Sequence, residues 1–557
     1  MIEKAYTILN KYASIIVPVG LFLLIFAVYF PLLSIGFFSD DYHMLSVVSD
    51  QGSVWKYWIT NLIGERGGHS YGPIYNMVFT LEYWLFGLHS LGYHVFTLFF
   101  HFMSACLVFF FGRALSKRVS VGLGAAILFS ILPNHTESLA WVSVQPHVLS
   151  TLGYLGALLS YFLFLQKQTV LRYIVMLGSV IFALFSKDAA LTLPIALILM
   201  HVFFSRPSFT KESLYSFFRT ILPVVAITGV YLFLRTYTTQ SGGYYAGALD
   251  VSFFPLLSMF VEITVNMFVV YPARMIVTHF LPTTFVVLLL LPFFLYFFIL
   301  YTKRIQKSVR TPLWFLCCLY PVVLAPFLLL QYNVLHDGGE RYAYLGSSIF
   351  FILFSYVIYT FLRRYIKQSS FRLVYFGIFF LFFLLFIPIS ISKNMNWEAA
   401  GDVRDSIFSS ELVVSSDDYV LFVGIPDNID GAELFRNAIF ESFSLENDMD
   451  LSGERLPLYT LLDKDRALSL VFEEVTPYEF LLTPQENDVD DVVFTGFPHY
   501  DHAFGSAELG GFDSFGSVGR SIRIVFDEEK IEDAFTGERS LVLVYFSDGV
   551  FQSVSLY

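Results

Sequence analysis

The sequence predicts a polytopic α-helical membrane protein joined at its C-terminal end to a β-rich α+β soluble domain, and three observations carry that prediction. Of 557 residues, 56% are hydrophobic, 19% aromatic and only 14% charged, far from globular usage. Apolar stretches recur that are long enough to cross a hydrocarbon core of about 30 Å at about 1.5 Å per residue. Charge is divided unevenly: residues 1–392 hold 24 Lys and Arg against 13 Asp and Glu, a net of +11, and the remaining 10 against 33 leave residues 393–557 at −23. A basic membrane domain, 1–392, is expected to precede an acidic extracytoplasmic domain, 393–557.

The first apolar stretch, 14–37, has no small-residue cleavage site and is read as a retained span. If it runs outward, basic clusters should fall in alternate connections. They do: Lys4 and Lys11; Arg113, Lys117 and Arg118; Lys167 and Arg172; Arg206, Lys211 and Arg219; Lys303, Arg304, Lys307 and Arg310; Arg363, Arg364, Lys367 and Arg372. These are 18 of the 24 basic residues, and they place the N-terminus in the cytoplasm. The spans between them are 14–37, 91–112, 119–133, 139–165, 172–186, 189–205, 219–235, 280–301, 313–332, 342–362 and 371–392, about eleven in a cell membrane. The apolar segment 251–272 cannot also span without inverting every later cluster, so it is expected as a helix against the outer side of the bundle. No internal repeat is visible, which gives an inverted-repeat transporter no support. Cys106, Cys317 and Cys318 lie in apolar segments and suggest neither disulfides nor a thiolate metal site.

Beyond residue 392 the apolar runs become short and alternating, as in Tyr419–Ile425, Ser521–Phe526 and Ser540–Phe546, with a helix expected near Ala432–Phe443. This acidic domain shows no phosphate loop, metal cluster or nucleophile motif. Packing or acceptor docking is its expected role, and no nucleic-acid partner is expected.

Each outward connection carries polar residues at the membrane boundary, where an unpaired charge is costly. The first gives Asp40, Asp41, His43, His69 and Tyr71; the second Asn134, His135, Glu137, Gln145 and His147; the third Lys187 and Asp188; the fourth Arg235; the fifth Asp337, Glu340, Arg341 and Tyr342. Group transfer from a phosphate-linked donor needs such a set: a carboxylate to take the acceptor proton, and cations to stabilise the departing phosphate. Asp41, or alternatively Asp40, suits the first role, since consecutive side chains point in different directions and one of the two should face the acceptor. Lys187, Arg235 and Arg341 suit the second. His69, Tyr71, His135, Glu137, Gln145, His147, Asp188, Glu340 and Tyr342 are the candidate substrate contacts. The plainer readings are an interfacial cap for the aspartates, a boundary pair for His135 and Glu137, and a structural ion pair for Lys187 and Asp188. No organic cofactor is expected, and a divalent metal is left open.

Several segments resemble the membrane domain of the transmembrane and tetratricopeptide-repeat O-mannosyltransferases, within the C-type glycosyltransferase (GT-C) fold. They are Phe38-Ser39-Asp40-Asp41-Tyr42, Ser70-Tyr71-Gly72-Pro73-Ile74, Gly92-Tyr93-His94, Leu132-Pro133-Asn134-His135-Thr136-Glu137-Ser138, Ala140-Trp141-Val142-Ser143, Ser186-Lys187-Asp188 and Gly339-Glu340-Arg341-Tyr342-Ala343-Tyr344-Leu345. The resemblance implies a polyprenyl-phosphate sugar donor, transfer on the extracytoplasmic side to a protein or glycan hydroxyl, and a first-loop aspartate as base. Gly72 stands where the family has Arg, Gln145-Pro146-His147 replaces an Arg-Ala-acidic run, and the tetratricopeptide repeats are absent. The alternatives are a non-enzymatic lipid or glycolipid transporter and a membrane-anchored binding protein.

The alternate-loop assignment has a direct test. A single cysteine at Ser415, in a cysteine-free background, is expected to react with an impermeant thiol reagent in intact cells, and its protection there would overturn the topology.

Overall fold

The computed structural model describes all residues except 1, 51–53, 63–69, 206–209, 241–252, 268–302, 304, 329–338, 411, 430, 436, 463–468, 486–493, 497–498, 511–517 and 536–539. The chain divides into two compact units, residues 1–33 with 51–394, and residues 34–50 with 395–557. Ser34–Asp50, expected as part of the membrane domain, therefore goes with the C-terminal unit.

The described residues include seven helices long and apolar enough to cross a membrane: Lys11–Val28, Ser90–Ser116, Val142–Gln166, Leu214–Thr239, Lys307–Phe327, Glu340–Tyr365 and Gln368–Ser409. The protein is a multi-pass membrane protein. A bent pair, Val119–Ser130 with Pro133–Ala140 at 57°, and two shorter apolar helices, Val170–Ser186 and Asp188–Phe204, lie at three more of the expected spans. The expected span 280–301 lies outside the described residues. Of the segment expected as a surface helix at 251–272, Phe253–Asn266 is helical.

Prolines decide where several of these helices begin. Pro73 and Pro133 sit at the first helical position and Pro146 and Pro194 at the second, where the missing N–H costs nothing and the fixed φ already suits the helix. At Pro133 the same ring bars continuation of the preceding helix, which gives the bend. Short 3₁₀ turns at Pro133–His135, Val142–Val144, Asp188–Thr192 and Glu340–Tyr342 thus precede the helices that follow them, and they hold His135, Asp188, Glu340, Arg341 and Tyr342 among the candidate residues. Small residues let the helices close up. A Cβ on Gly122 would lie 2.3 Å from the Phe109 carbonyl oxygen, and one on Gly153 2.7 Å from the Ala183 nitrogen.

The described residues of the second unit form three sheets. In one, the strands run Val550–Ser555, Leu541–Ser547, Tyr419–Val423, Ser452–Arg455 in spatial order; the last two pairings are parallel. A second is wholly antiparallel, ordered Leu470–Thr476, Glu479–Pro484, Ser521–Phe526, Gly505–Gly510, His499–His502. The third is built around Leu458–Leu462 and Ile425–Ile429. Alternation does what the sequence suggested: Ile522, Ile524 and Phe526 turn inward and join Leu421, Val423, Leu482 and Leu543 in one core. The expected helix near Ala432–Phe443 starts later, at Ile439. Gly431, at φ +89°, turns the chain back so that Glu433 pairs with Asn428 as strand.

The first-loop helix, Asp40–Asp50, belongs to this unit through side-chain bonds to the helix Ile439–Asn447: the Tyr42 hydroxyl donates to Glu446 (2.8 Å), and His43 Nδ1 bonds Glu441 Oε1 (3.1 Å). The His43 bond, opposed by burial, holds the Glu441 carboxyl below its usual range. A depressed folded-state value means stabilisation that is present above the unfolded pKa, about 4.5, and lost as pH falls through the folded value. Glu441→Gln should therefore melt earlier than wild type at about pH 7, by ~1 kcal/mol or less because the pair is part-exposed, and the gap should close near pH 3. Thermal melts at the two pH values check this.

Candidate functional site

Most of the candidate residues fall in the first unit, and the organising group among them is Glu137. Its side chain is 4% exposed. It accepts the Gly339 N–H at 3.3 Å and the Arg341 N–H at 2.6 Å, and pairs with the Arg341 guanidinium. Gly339 holds φ +98°, a left-handed conformation that glycine adopts without strain. The carboxylate thus sits at the N-terminal start of Glu340–Tyr365, where the helix's free N–H groups and dipole favour an anion. Arg341 is held between rings as well, 5.4 Å from the Trp141 centroid and 5.1 Å from that of Tyr342.

Two further acid–base pairs lie in the same unit. Arg235 bonds Asp188 at 3.4 Å, both largely buried, and Lys393 pairs with Glu340. Of the three expected phosphate-binding cations, Arg235 and Arg341 therefore carry internal counterions, whereas Lys187 has no acidic partner among the described residues. Lys187 stands in extended backbone just before Asp188–Thr192 and is part-exposed. Arg341 packs on Tyr342, whose ring lies beside that of His147. The His147 ring stacks on Phe327 (centroids 5.9 Å apart, 30°) and lies 6.2 Å from Tyr342. Lys187, Arg341, His147, Tyr342 and Phe327 form an electropositive, aromatic-walled group that can receive an anion.

Other candidates are placed in the packed interior. Tyr71 is buried against Phe185 and Tyr231, its hydroxyl donating to the Trp58 carbonyl at 3.1 Å. His135 is buried with Nε2 bonded to Ser347 Oγ at 2.9 Å and its ring 4.4 Å from Tyr344. Gln145 is buried and donates to Glu82 Oε1 (2.8 Å) and Thr97 Oγ1 (3.0 Å). Burial pushes the Glu82 carboxyl up to about 8, so this acid is largely neutral at pH 7. His69 and Asp337 lie outside the described residues. Gly72 has a steric reason to be glycine: a Cβ there would approach the Ser186 carbonyl oxygen to 2.7 Å, so the arginine of the family pattern has no room without a backbone shift.

In the second unit, Asp41 is fully buried and its Oδ2 accepts the Phe38 N–H at 3.0 Å. Asp40 is part-exposed, and its Oδ1 accepts from Asn437 Nδ2 at 2.8 Å. Among the described residues no three His, Cys, Asp or Glu side chains are grouped to hold a metal. Sequence reasoning missed Glu82, Lys393, Asn437 and Glu441. The first two carried a signal, an ionisable residue within or against an apolar run; the others gave none.

The fold and these buried pairs define a multi-pass membrane protein with an anion-receptive group at the starts of its helices. Comparison with known proteins narrows the class. No family model matches the chain. Over 177 residues it is 28% identical to protein O-mannosyl-transferase Tmtc1 of Drosophila melanogaster, covering 30% of this chain and 21% of that protein. Over 111 residues it is 35% identical to TMTC3 of Mus musculus (19% and 11%), and over 145 residues 29% identical to the protein O-mannosyl-transferase F38B6.6 of Caenorhabditis elegans (25% and 20%). The chain is thus similar to the TMTC O-mannosyltransferases, and it spans about a fifth of their length or less. Among solved structures, ArnT from Cupriavidus metallidurans, bound to undecaprenyl phosphate, aligns at a TM-score of 0.37 and 10% identity, covering 79% of this chain and 86% of that one. An Archaeoglobus fulgidus oligosaccharyltransferase aligns at 0.36 and 10%, covering 80% and 64%.

If Glu137 is the internal counterion of Arg341, Glu137→Gln strands a largely buried guanidinium. It is expected to cost about 2–3 kcal/mol, read as a lower melting temperature of the detergent-solubilised protein. An unchanged melting temperature with a weakened substrate affinity would instead make Glu137 a substrate ligand.

Proposed function

We propose that this protein is a membrane glycosyltransferase that moves a hexose from a polyprenyl-phosphate donor to a protein or glycan hydroxyl on the extracytoplasmic side. The observation that carries the reading is Lys187, a part-exposed cation with no acidic partner among the described residues, in the same unit as Arg341, whose guanidinium packs on Tyr342 beside the His147 ring. An anion completes that arrangement, and the donor's phosphate is an anion attached to a lipid. The similarity to proteins named O-mannosyltransferases supports the sugar half of the proposal.

In this reading Asp40 is the base. Its part-exposed carboxylate suits proton transfer better than Asp41, whose Oδ2 is engaged by the Phe38 N–H and whose side chain has no solvent access. The carboxylate takes the acceptor hydroxyl proton as the oxygen attacks the anomeric carbon. The bond from that carbon to the phosphate oxygen breaks, its electron pair leaves with polyprenyl phosphate, and the configuration inverts. Stabilisation of the charge that develops on the phosphate is assigned separately to cations of the first unit, Lys187 and Arg341. Arg235 acts one step removed, holding Asp188 beside Lys187. The N-terminus is cytoplasmic and the C-terminal unit lies outside in this assignment.

The decisive experiment incubates purified protein with a panel of polyprenyl-phosphate hexoses and scores release of polyprenyl phosphate. Lys187→Ala should lower kcat/KM about 10- to 150-fold, as expected for one lost charge-assisted contact. Asp40→Asn should lower kcat about 10²- to 10⁴-fold while donor still binds. Wild-type turnover in both variants would remove these residue assignments, and no release from any donor by the wild-type protein would remove the transferase reading in favour of a transport or binding role.

A further inference from the structure

The first-loop aspartate is not held by the first loop alone. Ser39, immediately before it, is fully buried and sits at φ +45°, a left-handed conformation that residues other than glycine seldom hold unless their surroundings fix it. The fixing groups come from about 400 residues further along the chain, within the same compact unit. The Ser39 N–H donates to the Leu434 carbonyl at 2.8 Å, and the Asn437 N–H donates to Ser39 Oγ at 3.1 Å. The same asparagine then reaches one residue on, Nδ2 donating to Asp40 Oδ1 at 2.8 Å. Backbone and side chain of Asn437 together grip two consecutive residues, one strained and one a carboxylate.

We infer that Asn437 is a positioning residue for Asp40, orienting the carboxylate by its amide while its backbone holds the strained serine; the inference rests on the assignment of Asp40 as base. The chemistry of the contact suits that task. A neutral amide donates to one carboxylate oxygen without forming an ion pair that would compete with an acceptor hydroxyl. The other oxygen, Oδ2, is engaged by no group among the described residues. The helix Asp40–Asp50 has its own anchors in Tyr42–Glu446 and His43–Glu441, so Asn437 is not needed to keep that helix in place. Asn437 itself is exposed, which lets it be replaced without opening a core. The C-terminal unit thereby gains a part in catalysis, as the holder of the base.

The full-length protein in detergent is assayed for polyprenyl phosphate release, with Asp40→Asn run beside Asn437→Ala and Asn437→Gln. Asn437→Ala is expected to lower kcat roughly 5- to 30-fold, the loss of one hydrogen bond to a charged group, with donor KM within about twofold and the melting temperature unchanged. Asn437→Gln, which keeps the donor on a longer stem, should recover part of the rate. If Asp40→Asn is inactive while Asn437→Ala turns over like wild type, the positioning role falls and the base assignment stands. If Asn437→Ala instead acts through KM or through a lowered melting temperature, its role is structural and the inference is overturned. Near-normal turnover of Asp40→Asn removes the base assignment and the inference with it.

Discussion

The Glu137 carboxylate, clasped by two backbone N–H groups and the Arg341 guanidinium, is the contact on which the first unit's polar chemistry depends. A charge withdrawn from water without a partner costs several kcal/mol, and Glu137 and Glu340 are both buried. The solution adopted is pairwise neutralisation: Glu137 with Arg341, Asp188 with Arg235, Glu340 with Lys393. Each pair also fixes geometry, because each joins a short turn to a different helix. Once these charges are matched, Lys187 gives the region a net positive balance among the described residues.

Much of this was legible in the sequence, for reasons that can be stated residue by residue. Apolar runs of spanning length are nearly unambiguous, since lipid accepts little else, and they located the helices. Alternating runs such as Ser521–Phe526 found strands for the same kind of reason. Polar residues at the ends of apolar runs drew attention to Glu137, Lys187, Asp188, Arg235 and Arg341. What the sequence could not supply was partnership. Nothing local to Glu137 says that it binds a residue 204 positions away, or that Tyr71 spends its hydroxyl on the Trp58 carbonyl. The late start of the helix at Ile439 depended on a left-handed turn at Gly431, which the apolar pattern of Ala432–Phe443 does not encode.

Burial also separates residues that looked alike. His135 and His147 were equivalent candidates on paper, both histidines in the second outward connection. His135 is bonded and ringed by Phe129 and Tyr344 as part of the core, while His147 packs on Phe327 and Tyr342 beside Arg341. The two aspartates divide in the same way, Asp41 turned in to the Phe38 backbone and Asp40 left with solvent access. Neighbours in sequence thus acquire different duties from the direction in which the backbone aims them.

The pairing of Asp40 with Asn437, 397 positions apart, also sets a timetable for synthesis. A ribosome adding about 5–20 residues per second needs roughly 20–80 seconds to move from one to the other. Throughout that interval Ser39 and the helix that follows it emerge with none of their eventual partners, while the intervening spans are being threaded into the bilayer. The first loop must wait, unsupported, for the last part of the chain. Any truncation that removes the late partners leaves the early segment permanently without its seat.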